Sequence, residues 1–510
     1  MSAAPEDRSR NSESVQSLLD VMRHEDMLVE RPRQIYCNRD LNFDKVEAVG
    51  FDMDYTLAPY IQEELDALSV RLTLERLVRH RDYPAEILAI EPRPDFAIRG
   101  LVVDKFTGNI LKMDAHRHVG KGYHGFRALR DKERYEYRNT TIRLNTDLRY
   151  VLIDTLFALP EAFLYAALVD WLETTRPGAQ HDFVQLFDDI RFAIDLAHRD
   201  GSIKSAIMAD TPRYIPRGPE LALTLHKFRS AGKKLFVITN SYAQYTSHVM
   251  SHLLDGVLPE YPNWKSYFEI VITGSRKPGF FTQREPFLQV DESGVVVSET
   301  VTSLERGRIY QGGNLLDFEE LGGMGGETVC YIGDHIYGDI VRSKKSSAWR
   351  TVMIVQEMEG ELHRAGELRD DIAAMDELDR EVLRLNEEIA FDQSFAYRLE
   401  KLLERQEQHP ATLDPQMVRD ARDELKQRRD RMRRRRSELL VTLDRSEEEL
   451  ESNFNTYWGL IFKLGNENTL FGEQVEDYAC LYTSRVSNFL NYSPLHYYRA
   501  PRQLMPHERY

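Results

Sequence analysis

Residues 46–57 read VEAVGFDMDYTL, a short apolar run that stops abruptly at two carboxylates, Asp52 and Asp54, with one residue between them. A run this short and apolar predicts a strand buried on both faces, as in a parallel sheet. Three further segments repeat the pattern. Residues 234–239 (KLFVIT) follow a helical stretch at 219–230, with Gly232 placed to end that helix. Residues 328–332 (TVCYI) end at Gly333-Asp334, and residues 350–355 (RTVMIV) follow a basic helical segment. Strands alternating with helices predict an α/β fold, a doubly wound and mostly parallel sheet with its chemistry at the carboxyl ends of the strands. Polar clusters follow the first three of these strands.

Composition bounds what such a sheet can serve. At 510 residues the chain exceeds one compact core and predicts two or three packed units. A net charge of -16 argues against nucleic acid as a partner, which normally needs a basic face. It leaves room for a small anion held by a few local cations and a metal. Cys37, Cys330 and Cys480 lie far apart and form neither a disulfide framework nor a metal-ligand spacing. Residues 1–26 carry no apolar run suited to a signal peptide, so a cytoplasmic protein is expected. Residues 151–172 are the best membrane candidate. They contain Asp154, Pro160, Glu161 and Asp170, so a buried helix pair is predicted instead, and no membrane partner.

Roughly 180 residues separate the first two strands, far more than a crossover needs, and part of them is predicted to form an inserted cap. Residues 96–112 read as a hairpin around Lys105-Phe106-Thr107-Gly108-Asn109, and residues 150–172 as buried helix. Residues 357–449 are dense in charge with apolar residues at helical spacing, interrupted at His409-Pro410 and Asp414-Pro415. Asp414 as N-cap and Pro415 at the first helical position mark a new helix, so a long antiparallel helical hairpin is expected. Its basic cluster at 428–436 (RRDRMRRRR) reads first as a solvated face balanced by neighbouring acidic runs, and second as a surface for a phosphate-rich effector or a partner. The expected organisation is a polar extension at 1–34, a catalytic core at 35–112 and 189–356, a cap at 113–188, the charged hairpin at 357–453 and a segment at 454–510 packing on the core.

Hydrolysis of a phosphate ester needs a nucleophile, an acid for the leaving oxygen and positive charge around the phosphoryl group. Asp52 can attack phosphorus, and Asp54 can protonate the leaving alkoxide and then deprotonate water. A D-x-D-x-[TV] string alone arises by chance in about one chain in seven of this length, so a solvated acidic turn competes with that reading. Three more pieces weigh against chance. Thr239-Asn240-Ser241 offers hydroxyls and backbone N–H groups to phosphate oxygens, although singly it is a common strand-ending turn. Lys277 offers a cation, although a lone lysine before proline is commonly a solvated loop residue. Asp334 and Asp339 follow another strand. With Asp52, Asp54 and a main-chain carbonyl they make an oxygen-rich candidate site for Mg²⁺.

These pieces, in this order, resemble the haloacid dehalogenase superfamily. The strings FDMDYTLAPY, TLFALPE, DIRFAIDLAHRDGSIK, RKPGFF, YIGDHIYGDIVRSKK and LMPHE resemble the cytosolic purine 5′-nucleotidases that prefer IMP and GMP. The resemblance runs from about residue 35 to about residue 508 and is weakest at 357–449. It implies that Asp52 is the nucleophile and Asp54 the general acid/base. It also implies that Thr239, Asn240 and Lys277 hold phosphate, that Asp334 binds magnesium, and that Asp339 orients the metal's water shell. By the same resemblance Arg191, Asp195, His198 and Lys204 contact purine and phosphate, and Phe157 stacks on the base.

Arg191 and Asp195, four apart, share a helix face and could address one edge of a 6-oxopurine, although an ordinary surface ion pair has the same spacing. The carboxylate would accept N1–H, a donor that AMP lacks. Asp154 and Ala158 stand beside Phe157 where the family has amides. The activity expected from the resemblance is release of phosphate from a purine nucleoside monophosphate by a homo-oligomeric enzyme. An aspartyl-phosphate could also be captured by a second nucleoside. A phosphatase of another small ester, or a non-catalytic scaffold on this fold, are the alternatives.

Overall fold

A computed structural model describes residues 29–138, 142–144, 148–341, 347–408 and 414–508. Its frame is a ten-stranded sheet built, in chain order, from β1 (Tyr36–Cys37), β2 (Ala48–Phe51), β3 (Lys234–Ile238), β4 (Ile270–Thr273), β5 (Phe287–Val290), β6 (Val296–Ser298), β7 (Ile309–Gly312), β8 (Val329–Gly333), β9 (Arg350–Ile354) and β10 (Leu481–Thr483). The spatial order is β1-β10-β9-β8-β2-β3-β4-β7-β5-β6. From β10 to β7 every neighbouring pair is parallel, and the antiparallel pairs lie at the two margins. The fold is therefore mixed α/β around a large, mostly parallel sheet. The four predicted strands lie at its centre, and β2, β3 and β8 are buried at nearly every position. Gly50 in β2 is required by packing, since a Cβ there would lie 2.2 Å from the Phe236 ring of β3. Strand order reverses at β2, with β3 and β4 following on one side and β8 and β9 on the other, which makes its carboxyl end a crevice where ligands gather.

The long insertion after β2 begins with helix α1 (Gln62–Arg81) and then forms a separate five-stranded antiparallel sheet. Val102–Asp104 pairs with Asn109–Met113, which is the predicted hairpin. The expected boundary at 112 falls within that second strand, because Val119–His124 and not the large sheet takes up its other edge. Residues 150–172 are not helix throughout. Tyr150–Leu152 is a strand on the free edge of Val102–Asp104, and helix α2 (Leu159–Thr175) starts only where Pro160 occupies its first turn. A strand edge in need of hydrogen bonds outweighed the helical reading of this apolar stretch. Helices α3 (Phe183–Arg199) and α4 (Ser202–Ala209) then lead back to the large sheet. Among the described residues no helix is long and apolar enough to cross a membrane.

Residues 363–460 form a second compact unit. Helices α5 (Arg369–Gln408) and α6 (Pro415–Ser452) lie antiparallel, with Val382, Leu385, Ile389, Met432 and Leu439 between them. The Asp414 carboxylate accepts the Gln416 N–H at 2.9 Å, the expected N-cap. The basic cluster is partly engaged inside the hairpin. Arg428 donates through Nε to buried Asp392 (2.6 Å), Arg435 pairs with Glu381 (3.2 Å) and Arg436 donates to Asn386 (2.8 Å). The interruption at His409-Pro410 and most of the polar extension lie outside the described residues. Beyond residue 460 the chain returns to the first unit and supplies β10.

Candidate active site

Four loops converge at the carboxyl end of the sheet because β8, β2, β3 and β4 are neighbours there. β2 delivers Asp52, β8 delivers Asp334, and the loop after β4 brings in Lys277. The Lys277 ammonium lies 2.9 Å from Asp52 Oδ1 and 2.7 Å from Asp339 Oδ1. It also donates to Tyr331 Oη at 2.9 Å, and that hydroxyl donates to the Ile238 carbonyl, so the cation has one position. Asp52, Asp334 and Asp339, all buried, each present a carboxylate oxygen within 4.8 Å of the others. Asp339 reaches this cluster by packing directly on Gly333, where a Cβ would lie 2.5 Å from its carboxylate.

Among the described residues, these three carboxylates outnumber the cation that pairs with them. Burial pushes the Asp52 carboxyl up to about 7 against the pull of Lys277, with Asp339 and Asp54 adding to the rise. Burial, together with Asp52 and Asp339, drives Asp334 far above the usual carboxylate range. Burial opposes the Lys277 charge, yet Asp339 and Asp52 hold it well above its ordinary range. Beneath Asp334 the guanidinium of Arg99, fully buried, donates to the Asp334 carbonyl at 2.7 Å and binds both Glu357 oxygens at 2.7 Å.

Asp54 lines the same cavity but is not part of this trio. Its Oδ1 accepts from the Tyr60 hydroxyl at 2.6 Å and its Oδ2 from the Ser241 hydroxyl at 2.7 Å. As a carboxylate ligand Asp54 is thus separated from the others by two hydrogen bonds of its own. Lys204 Nζ donates to Ser241 Oγ at 3.3 Å. Asn240 is committed to the loop that carries Lys277. It accepts from Lys277 N–H (2.6 Å) and Ser275 Oγ (3.0 Å) and donates to the Lys277 carbonyl (3.0 Å). Thr239 is fully buried, its hydroxyl accepting the Ser241 N–H at 3.1 Å, and it does not line the cavity.

The acidic cluster opens into a cavity of about 350 Å³, which Phe157, His198 and Lys204 also line. The Phe157 ring meets Tyr55 edge-on at 4.7 Å and His198 at 5.9 Å. Arg191 and Asp195 are not among the lining residues. Arg191 Nε lies 2.5 Å from the carboxylate of Glu161, which is 1% exposed. Burial pushes Glu161 up to about 7 despite Arg191.

The sequence model of the 5' nucleotidase family matches residues 35–510. The chain is 30% identical over 499 residues to 5'-nucleotidase domain-containing protein 2 of Rattus norvegicus, covering 94% of this chain and 80% of that relative. It is 29% identical over 486 residues to a 5'-nucleotidase domain-containing protein of Dictyostelium discoideum, covering 94% and 75%. The chain belongs to the 5' nucleotidase family.

Membership makes it a 5'-nucleotidase enzyme, and several of the groups around this 5'-nucleotidase's cavity had no sequence signal. Tyr60 and Tyr245 share a hydrogen bond of 2.8 Å beside Asp54, yet they lie 185 residues apart. Arg99 and Glu357 are 258 apart. His335 lines the cavity inside a motif that had been read for its carboxylates alone. Its Nδ1 accepts the Gly338 N–H at 2.6 Å.

Proposed function

We propose that this 5'-nucleotidase removes phosphate from purine nucleoside 5'-monophosphates of the 6-oxo type, IMP and GMP, through an aspartyl-phosphate on Asp52. The observation that carries the reading is the meeting, in one cavity, of the buried Asp52–Lys277 pair with a wall of Phe157 and His198. Asp52 attacks phosphorus, the P–O5′ bond breaks, and O5′ takes the Asp54 proton. Asp54 then takes a proton from the water that attacks the phosphoryl-aspartate. Lys277 fixes Asp52 and offsets charge on the phosphoryl group, and Lys204 with the Ser241 hydroxyl binds its oxygens.

Three buried carboxylates with oxygens within 4.8 Å of one another suit a hard divalent cation. Asp52, Asp334 and Asp339 would hold Mg²⁺, which when bound supplies further positive charge to the transferring phosphoryl group. In the same proposal the core is of haloacid dehalogenase type, residues 113–188 act as its cap, and the enzyme works in the cytoplasm as a homo-oligomer. An alcohol of another nucleoside could replace water as the second acceptor.

Base selection rests on α3. His198 lines the cavity, and Asp195 and Arg191 lie three and seven residues before it on the same helical stripe. A 6-oxopurine reaching along that stripe offers N1–H to Asp195. A site built on that bond rejects AMP by up to about 10⁴. The ion pair of Arg191 with Glu161 favours a second reading, a phosphatase of another small ester, because it removes Arg191 from the cavity. Phosphate release from IMP, GMP, AMP and a sugar phosphate, with and without Mg²⁺, tests both. Faster release from IMP and GMP, abolished by chelation, is expected. Equal rates on AMP and IMP would select the second reading.

A further inference from the structure

Asp54 has to exchange a proton twice in each cycle, and one side of its carboxyl is taken by a group that the reaction as written does not use. Tyr60 Oη lies 2.6 Å from Asp54 Oδ1 and 2.8 Å from Tyr245 Oη. Tyr60 and Tyr245 are 2% and 4% exposed, so bulk water does not compete for either hydroxyl. The Tyr60 main chain is fixed as well, its carbonyl accepting from the Gln356 amide at 2.8 Å. Its ring stands edge-on to Phe157 at 6.1 Å, so one side chain reaches from the wall of the cavity to the acid. Tyr245 sits in the helix Ala243–Leu254 that follows β3, and Lys204 Nζ lies over its ring at 4.9 Å.

A phenol has one hydrogen and can both donate and accept. With Asp54 ionised, Tyr60 donates to it and accepts from Tyr245. With the transferable proton on Oδ2, Tyr60 still donates to Oδ1 and still accepts from Tyr245. The same two hydrogen bonds stand before and after the proton leaves, and they hold the carboxyl in place. Ser241 holds the other oxygen and faces the phosphate side. Fixed on both oxygens, the carboxyl keeps one orientation toward the departing oxygen.

We propose that Tyr60, backed by Tyr245, is a positioning residue for the general acid. Its hydroxyl aligns Asp54 for transfer of the proton to O5′ as the P–O5′ bond breaks, and supports the carboxylate that remains. This rests on the reading of Asp54 as general acid. It predicts a defect that depends on the leaving group, which a merely structural role would not produce.

The test compares a nucleoside 5'-monophosphate with its analogue carrying sulfur at the 5′ bridging position, whose thiolate leaves without a proton. The quantity compared is kcat/KM, which reports the steps up to the first irreversible one and so leaves out hydrolysis of the phosphoryl-aspartate. Tyr60→Phe keeps the ring and removes the hydroxyl. It is expected to lower kcat/KM on the oxygen ester by on the order of 10-fold, and on the sulfur ester by less than about 2-fold. Tyr245→Phe is expected to show the same selectivity at smaller size. Asp54→Asn sets the scale, with a loss of about 10² to 10⁴ confined to the oxygen ester. If Asp54→Asn is selective and Tyr60→Phe slows both esters equally, or neither, the positioning role is overturned. If Asp54→Asn slows both esters equally, the general-acid reading itself fails, and the proposal with it.

Discussion

In the helical hairpin of residues 363–460, opposite charges meet in pairs: Arg428 with Asp392, Arg435 with Glu381, Lys401 with Glu404, Arg445 with Glu449. At the end of the large sheet, Asp52, Asp334 and Asp339 lie together, and the Lys277 ammonium pairs with Asp52 and Asp339, all four of them buried. Both regions are rich in charge, but in the second, among the described residues, three carboxylates are buried within 4.8 Å of one another. Paired charges on helices hold a local fold and contribute little each. Like charges forced together in a low dielectric cost several kcal/mol apiece unless something else completes them. The burial of crowded like charges, and not their density, is what distinguishes a site from a surface.

Replacing Lys277 breaks the contrast most sharply. Lys277→Met is expected to lower kcat by on the order of 10² to 10³, measured as phosphate release, since it removes fixed positive charge from the reacting group. The matching experiment in the hairpin leaves a charge buried without its partner. Asp392 has a fully buried side chain, and Arg428→Met strands it. The hairpin should melt at a lower temperature with kcat unchanged, and adding Asp392→Leu should restore most of that loss.

How far the sequence disclosed this arrangement follows from where each partner lies. β2, β3, β8 and β9 are apolar at nearly every position because the sheet covers both faces, so they read directly. Tyr150–Leu152 did not, since its strand character depends on an edge offered by Val102–Asp104. Asp52, Lys277, Asp334 and Asp339 sit beside strand ends in recognisable strings, and the fold brings them together. Arg191 and Asp195 were paired by local spacing, whereas the structure turns Arg191 to Glu161, thirty residues earlier on α2. Tyr60 with Tyr245, and Arg99 with Glu357, are joined only by tertiary packing, which leaves no periodicity to detect.

Asp66 on α1 sharpens the comparison as a third kind of charge, buried with neither cation nor cluster. It accepts from the Gln62 amide at 2.7 Å, and burial pushes it up to about 8. A carboxyl raised in the folded state stabilises below its unfolded value, near 3.8, and that contribution is lost as pH rises toward 8. Asp66→Asn should therefore gain roughly 3 kcal/mol relative to the parent at pH 8 and little at pH 4, read from melting curves at both. The smallest effect belongs to the solvated face. Arg431→Gln and Arg434→Gln, both exposed, should change stability by less than about 0.5 kcal/mol and leave phosphate release unaltered.

The central claim is that Asp52 carries the phosphoryl group. Quenching the enzyme during turnover of a purine nucleoside monophosphate, reducing with borohydride and sequencing peptides by mass spectrometry tests it directly. A phosphoryl-aspartate predicts homoserine at position 52, dependent on substrate. An unmodified Asp52 under turnover, with Asp52→Asn still releasing phosphate, would contradict it.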